Sequence, residues 1–205
     1  MPSGEQPRFV VLEGLDGAGT TTQAALVAGA LQARGRSVCL TAEPSDGPLG
    51  RVARAHVRHE VGLDPATAAL TFVADRADHL TRTVRPALHG GRYVVCDRYV
   101  LSTLAYQGAE GVDRVWVLDA SGPLLVPDLT VFLDVPAAER RRRLASRTQP
   151  DRYERDELQL RLRTSYAESI DLLRSRGHAV LEIDGTQQAP AICARILAEL
   201  DALPR

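Results

Sequence analysis

Apolar residues come in short consecutive runs, separated by longer stretches with helical spacing. Phe9-Val10-Val11-Leu12, Val38-Cys39-Leu40, Tyr93-Val94-Val95-Cys96, Leu129-Thr130-Val131-Phe132-Leu133 and Ala179-Val180-Leu181-Glu182-Ile183 are the compact runs. Their apolar positions are neighbours rather than alternates, which predicts strands covered on both faces. Between them, Thr21 to Arg34 is rich in Ala, Leu and Gln and is stopped by Gly35. Ala66 to His89 is closed by Gly90-Gly91, and Asp156 to Arg176 by Gly177. Ala137 to Arg147 and Ala189 to Leu203 are also helical in pattern. These glycines are helix stop signals. Strands alternating with helices of this length predict a three-layer α/β fold, a five-stranded parallel sheet with helices on both faces. No repeat, low-complexity stretch or long linker divides the chain, so a single domain is expected over residues 1–205. Thr148-Gln149-Pro150-Asp151 is the clearest break, between two arginine-rich helices.

Composition narrows the class without choosing within it. Apolar residues make up 44% and charged residues 25% of 205, ordinary values for a globular protein. A net charge of -1 does not mark a general nucleic-acid binder. No apolar run approaches a membrane span, and Met1 to Arg8 lacks the apolar stretch of a secretory signal. Cys39, Cys96 and Cys193 are far apart and have no metal-ligand spacing, as expected of reduced thiols in the cytoplasm. Arg140-Arg141-Arg142-Arg143 follows Glu139 and points around most of a helix, which favours a solvated face with one or two lid contacts over a nucleic-acid patch. One count bears on mechanism: all 25 basic side chains are arginine.

Gly14-Leu15-Asp16-Gly17-Ala18-Gly19-Thr20-Thr21 directly follows the first strand and opens the first long helix. That is the setting of a phosphate-binding loop, in which backbone N–H groups and a helix N-terminus receive an anion. Thr21 falls at the hydroxyl position that helps hold Mg²⁺. Thr20 stands where lysine normally places a charge on the β- and γ-phosphates, and threonine brings no charge. At the end of the third strand, Asp97-Arg98-Tyr99 offers a carboxylate for Mg²⁺ and a guanidinium that can grip a phosphate bidentately.

Several segments in order resemble the thymidylate kinase family over about residues 8 to 186. Glu13-Gly14-Leu15-Asp16-Gly17-Ala18-Gly19 is similar to its opening, and Thr41-Ala42-Glu43-Pro44 to its Thr-x-Glu-Pro segment. Phe72-Val73-Ala74-Asp75-Arg76 resembles its Phe-x-Ala-x-Arg helix. Asp97-Arg98-Tyr99, with Ser102 and Ala105-Tyr106-Gln107-Gly108, resembles its Asp-Arg-Tyr segment. Pro127-Asp128-Leu129-Thr130 and Leu133-Asp134-Val135 resemble its fourth strand, and Asp151-Arg152-Tyr153-Glu154 its lid.

The resemblance implies a P-loop kinase fold with a short lid over about residues 143–156. It implies phosphorylation of dTMP by ATP with Mg²⁺ on the way to dTTP, in a cytoplasmic homodimer. Gly14, Leu15, Asp16, Gly17, Ala18, Gly19, Thr20 and Thr21 would bind ATP. Glu43, Pro44, Phe72, Arg76, Arg98, Thr103, Tyr106 and Gln107 would form the dTMP site, with Phe72 stacked on thymine and Arg76 bonded to it. Thr21, Asp97 and Asp16 would serve the metal. Gly185-Thr186 would approach the adenine. With no lysine in the loop, the charge on the migrating phosphoryl group falls to arginines, and Asp16, Arg98, Arg147 and Arg152 are the catalytic candidates. Two alternatives stand beside this reading: a kinase for another nucleotide, and a catalytically weak nucleotide-binding protein, which Thr20 favours.

Overall fold

A computed structural model describes residues 6–122, 125–145 and 156–204, with backbone alone over 156–160. All five predicted strands form: β1 Phe9–Gly14, β2 Val38–Ala42, β3 Tyr93–Asp97, β4 Leu129–Asp134 and β5 Val180–Asp184. They are parallel throughout and lie in the order β2-β3-β1-β4-β5. The central strands β1, β3 and β4 are buried along almost their whole length. The edge strands β2 and β5 are largely half-exposed.

The described helices are α1 Thr20–Ala33, α2 Pro48–Val57, α3 Pro65–His79, α4 Arg85–His89, α5 Val100–Ala109, α6 Arg114–Ala120, α7 Ala137–Leu144, α8 Asp156–Ser175 and α9 Ala189–Ala202. Val27 and Leu31 of α1 and Ile196 of α9 pack on Val10, Val95 and Val131, filling one side of the sheet. Leu101 and Leu104 of α5 and Leu162 and Leu173 of α8 pack on Phe9, Val11 and Val94, filling the other. These two apolar layers are the helix–sheet–helix arrangement that both-face burial of the strands requires.

Two features depart from the sequence reading. The helix expected from Ala66 to His89 exists as α3 and α4 joined by a π-helical turn, Leu80–Val84. That turn ends two residues before Pro86, whose ring would crowd the carbonyl of Arg82 in an unbroken helix. Asp64 starts the run by accepting from the backbone N–H groups of Ala66 and Thr67, both at 3.1 Å. Helices α2 and α6 were not visible in the apolar pattern. They are only 10 and 7 residues long, so α2, though amphipathic, and α6 fall short of the window in which periodicity identifies a helix.

Strand register decides where the chemistry gathers. Leu12 and Ala42 both pair with Asp97, and Gly14 pairs with Leu133. The segments after β1, β2 and β3 therefore emerge together at the carboxyl edge of the sheet, where ligands bind in open α/β folds. The turn after β2 is pinned to α3: Ser45 donates to Asp75 from its backbone N–H at 2.8 Å and from its hydroxyl at 2.5 Å. α2 then packs so closely that a Cβ on Gly50 would lie 1.9 Å from the Ser45 carbonyl oxygen. Backbone cannot yield as a side-chain tip can, so Gly50→Ala is expected to destabilise the protein by about 2 kcal/mol or more. Urea unfolding of the two proteins checks this, and an unchanged midpoint would contradict the packing described.

Candidate active site

β1 ends at Gly14, and the loop Leu15–Gly19 carries the chain into α1. Gly17 and Gly19 adopt φ of 83° and 96°, the left-handed region open to glycine. Gly17 also lies under α7, where a Cβ would meet the Arg140 carbonyl oxygen at 3.0 Å. Leu15 and Ala18 are buried, and Ala18 N–H donates to the Leu15 carbonyl at 2.9 Å, closing the turn. Gly19 gives α1 no side-chain cap, so the donors of its first turn stay available to an anion. Thr20 is buried, and its methyl group would stand 3.3 Å from a Cβ on Gly14. Thr21 points the other way and donates from its hydroxyl to Asp97 Oδ2 at 2.5 Å. Asp97 Oδ1 is buried and has no hydrogen-bond partner among the described residues. A hydroxyl beside a carboxylate with one oxygen to spare is a donor set that suits a hard divalent cation.

Next to the loop lies a cavity of about 140 Å³. Glu43 and Pro44 from the turn after β2, Phe72 and Arg76 from α3, and Thr103, Tyr106 and Gln107 from α5 line it. Every residue expected on the acceptor side reaches this one space, including Arg98 at the end of β3 and Asp16 from the loop. Arg76 is 1% exposed and is held from two sides. Its Nε donates to Glu43 Oε2 at 2.9 Å and its Nη2 to Thr103 Oγ1 at 2.7 Å. Its Nη1 has no partner among the described residues, which leaves a buried donor on the cavity wall. The other oxygen of Glu43 lies 3.1 Å from His79 Nδ1, and His79 Nε2 lies 2.8 Å from the Thr41 hydroxyl.

Arg98 joins the two halves. Its Nη1 donates to the Gly14 carbonyl at 3.0 Å and to Ser102 Oγ at 3.0 Å, and its Nη2 donates to Asp16 Oδ1 at 2.6 Å. The other oxygen of Asp16 accepts from the Tyr106 hydroxyl at 3.0 Å. Burial opposes the Arg98 charge, but the oxygens of Tyr106, Asp16 and Tyr166 outweigh it, and the guanidinium is held above its usual range.

Residues 12–196 match the family model for thymidylate kinase. A thymidylate kinase of Bordetella petrii is 43% identical over 203 residues, covering 96% of this chain and 96% of that protein. The chain belongs to the thymidylate kinase family. A probable thymidylate kinase of Pyrococcus horikoshii is 39% identical over 170 residues, 80% of this chain and 83% of that protein. A thymidylate kinase of Thermomicrobium roseum is 46% identical over 155 residues, 71% and 73% of the two chains.

In this thymidylate kinase family member the arginine run on α7 divides its labour. Arg140 is buried and donates to the Val135 carbonyl at 3.0 Å. Arg142 is turned outward onto Glu139. Arg143 donates to the Ala18 carbonyl at 3.2 Å and to the Gly185 carbonyl at 3.0 Å, linking the phosphate loop to the turn after β5. Arg147, Arg152 and most of the expected lid lie outside the described residues. No described helix is long and apolar enough to cross a membrane.

Sequence reading did not assign roles to Glu13, His79, Asp75 or Tyr166. His79 carried a usable signal, since it stands three residues after Arg76 on the same helical face. Glu13 carried another, as a charge in a strand otherwise apolar. Burial pushes the Glu13 carboxyl up from 4.5 to about 7, against the pull of hydrogen bonds from Ser102 and the charge of Arg98. A carboxyl whose folded value is raised adds stability below its unfolded value and loses it as pH climbs through the folded one. Relative to Glu13→Gln, the wild-type protein should therefore lose on the order of 3 kcal/mol of unfolding free energy between about pH 4.5 and pH 8. Urea unfolding of both proteins across that range tests it, and parallel pH profiles would exclude the shift.

Proposed function

We propose that this protein is an ATP:dTMP phosphotransferase supplying dTDP toward dTTP. The observation that carries the reading is the shared guanidinium: Arg98 touches the phosphate loop and lines the acceptor cavity at once. A phosphate oxygen of dTMP attacks the γ-phosphorus of ATP. The bond from that phosphorus to the β–γ bridging oxygen breaks, and the oxygen leaves with ADP. Such a transfer needs alignment and positive charge more than covalent help.

On this reading the backbone amides of the Gly14–Thr21 loop hold the donor phosphates, and Arg98 holds the phosphate of dTMP. Phe72 stacks on the thymine, and Arg76 donates its spare Nη1 proton to the base. Thr103 and Gln107 edge the base pocket, Tyr106 underlies the sugar, and Pro44 closes the wall. Glu43 keeps Arg76 in place. Thr21 and Asp97 would hold Mg²⁺, with Asp16, which meets Arg98 and Tyr106, as a further carboxylate. The metal, when bound, neutralises charge on the donor phosphates. Thr20 contributes a hydroxyl and no charge, so Arg147 and Arg152 join Arg98 in stabilising the migrating phosphoryl group.

The neighbouring helices α2, α3 and α6 leave Leu49, Val52, Leu70, Val115 and Trp116 exposed, which supports a homodimer through that face. Free thiols at Cys39, Cys96 and Cys193 are in keeping with a cytoplasmic enzyme. Loss of the loop charge at Thr20 favours one rival, a nucleotide-binding protein with little catalysis.

A coupled assay for ADP with dTMP, dUMP, dCMP, dGMP and CMP should show turnover with dTMP above all others. Good ATP binding with no turnover on any acceptor would favour the rival instead. Arg147→Ala and Arg152→Ala should each lower kcat by about 10³-fold, and unchanged turnover in both would remove them from the mechanism. Light scattering on a sizing column should give twice the chain mass, and Trp116→Glu should shift it toward one.

A further inference from the structure

Glu13 is fully buried one residue before the phosphate loop, yet it bonds to the acceptor side. Its Oε1 accepts from the backbone N–H groups of Tyr99 at 2.8 Å and Ser102 at 3.2 Å. Its Oε2 accepts from the Ser102 hydroxyl at 2.5 Å. Tyr99, which precedes α5, supplies no side-chain cap of its own. A carboxylate from another strand thus caps this helix, taking donors that a local serine or aspartate would ordinarily satisfy.

The Ser102 hydroxyl gives its one proton to Glu13, so its lone pairs are left to accept. One accepts from Arg98 Nη1 at 3.0 Å. A hydroxyl that donates to a buried carboxyl oxygen is polarised into a stronger acceptor, and the low-dielectric surroundings add to this. Arg98 needs such support, because its backbone adopts φ of 71°, a region that costs a side-chain-bearing residue energy. Its N–H donates to the Leu12 carbonyl at 2.8 Å, one residue before Glu13. The last turn of β1 therefore fixes both the backbone and the guanidinium of Arg98.

We propose that Glu13 is a positioning residue for the acceptor phosphate, aiming the Arg98 guanidinium through Ser102 and tying the phosphate loop to α5. The proposal rests on the reading of Arg98 as the grip on the dTMP phosphate. A Glu13 that served only to hold the fold would affect stability and leave the kinetics of folded enzyme untouched.

The test compares Glu13→Gln, Glu13→Asp, Ser102→Ala, Arg98→Ala and the Glu13→Gln/Arg98→Ala double variant by steady-state kinetics with both substrates. Calorimetric titration with dTMP and thermal unfolding accompany it. Glu13→Gln should raise KM for dTMP about tenfold, and Ser102→Ala about threefold, with KM for ATP within about twofold. Glu13→Asp should recover part of the loss. The double variant should bind dTMP no more weakly than Arg98→Ala alone, because both changes disable one group. An unchanged dTMP KM in folded Glu13→Gln, or losses that multiply in the double variant, would overturn the proposal. Should Glu13→Gln fail to fold, Ser102→Ala decides by the same measures, since it keeps the buried carboxyl and its backbone donors. An Arg98→Ala enzyme with normal dTMP KM would instead sink the reading of Arg98, and this proposal with it.

Discussion

The bonds from Arg98 to the Gly14 carbonyl at 3.0 Å and to the Asp16 carboxylate at 2.6 Å hold the candidate site together. They join the glycine-rich loop after β1 to the cavity lined by α3 and α5. Parallel register makes this possible. β1 and β3 are neighbours, so the chain leaving Gly14 and the chain leaving Asp97 start side by side. Arg98 has only to turn back through its left-handed backbone to reach the loop. Loop and cavity are then one hydrogen-bonded unit, and fixed relative placement is what phosphoryl transfer most requires.

Around that unit the protein keeps its charges paired and dry. Arg76 and Glu43 form a buried ion pair at 2.9 Å, with His79 and Thr103 taking remaining hydrogen-bonding positions. A buried pair is expensive unless its further donors and acceptors are used. Here one donor, Arg76 Nη1, is left over on the cavity wall. An unsatisfied buried donor favours any ligand that brings an acceptor to it and penalises one that does not. Selectivity at this wall can therefore rest on a cost set by the fold itself.

Every one of the 25 lysine-or-arginine positions in the sequence is arginine. Thr20 in the loop has a short, buried side chain, and Gly17 and Gly19 set the backbone path there through their left-handed φ. Guanidinium groups are planar, permanently charged forks, suited to carbonyls and phosphates alike. Arg98 and Arg143 both use that property within the described residues, each binding main-chain carbonyls of the loop.

The strands, the long helices and the phosphate loop were legible in the sequence, because each rests on local facts. Consecutive apolar residues need cover on both faces, and glycines in a strand–turn–helix setting permit left-handed backbone. The residues that line the cavity were grouped together by resemblance, since segments far apart in the chain appear in a recurring order. Tertiary structure alone decided the rest. α2 and α6 are short segments whose place is fixed by packing, and Gly50 is required by a turn with which it has no local pattern. Glu13 looks like an isolated charge in a strand until β1 and β3 are set in register. Only then does its carboxylate meet the open first turn of α5, 86 residues away from it at Tyr99. Such partners are set by strand order and register, which depend on burial over the whole sheet and not on neighbouring residues.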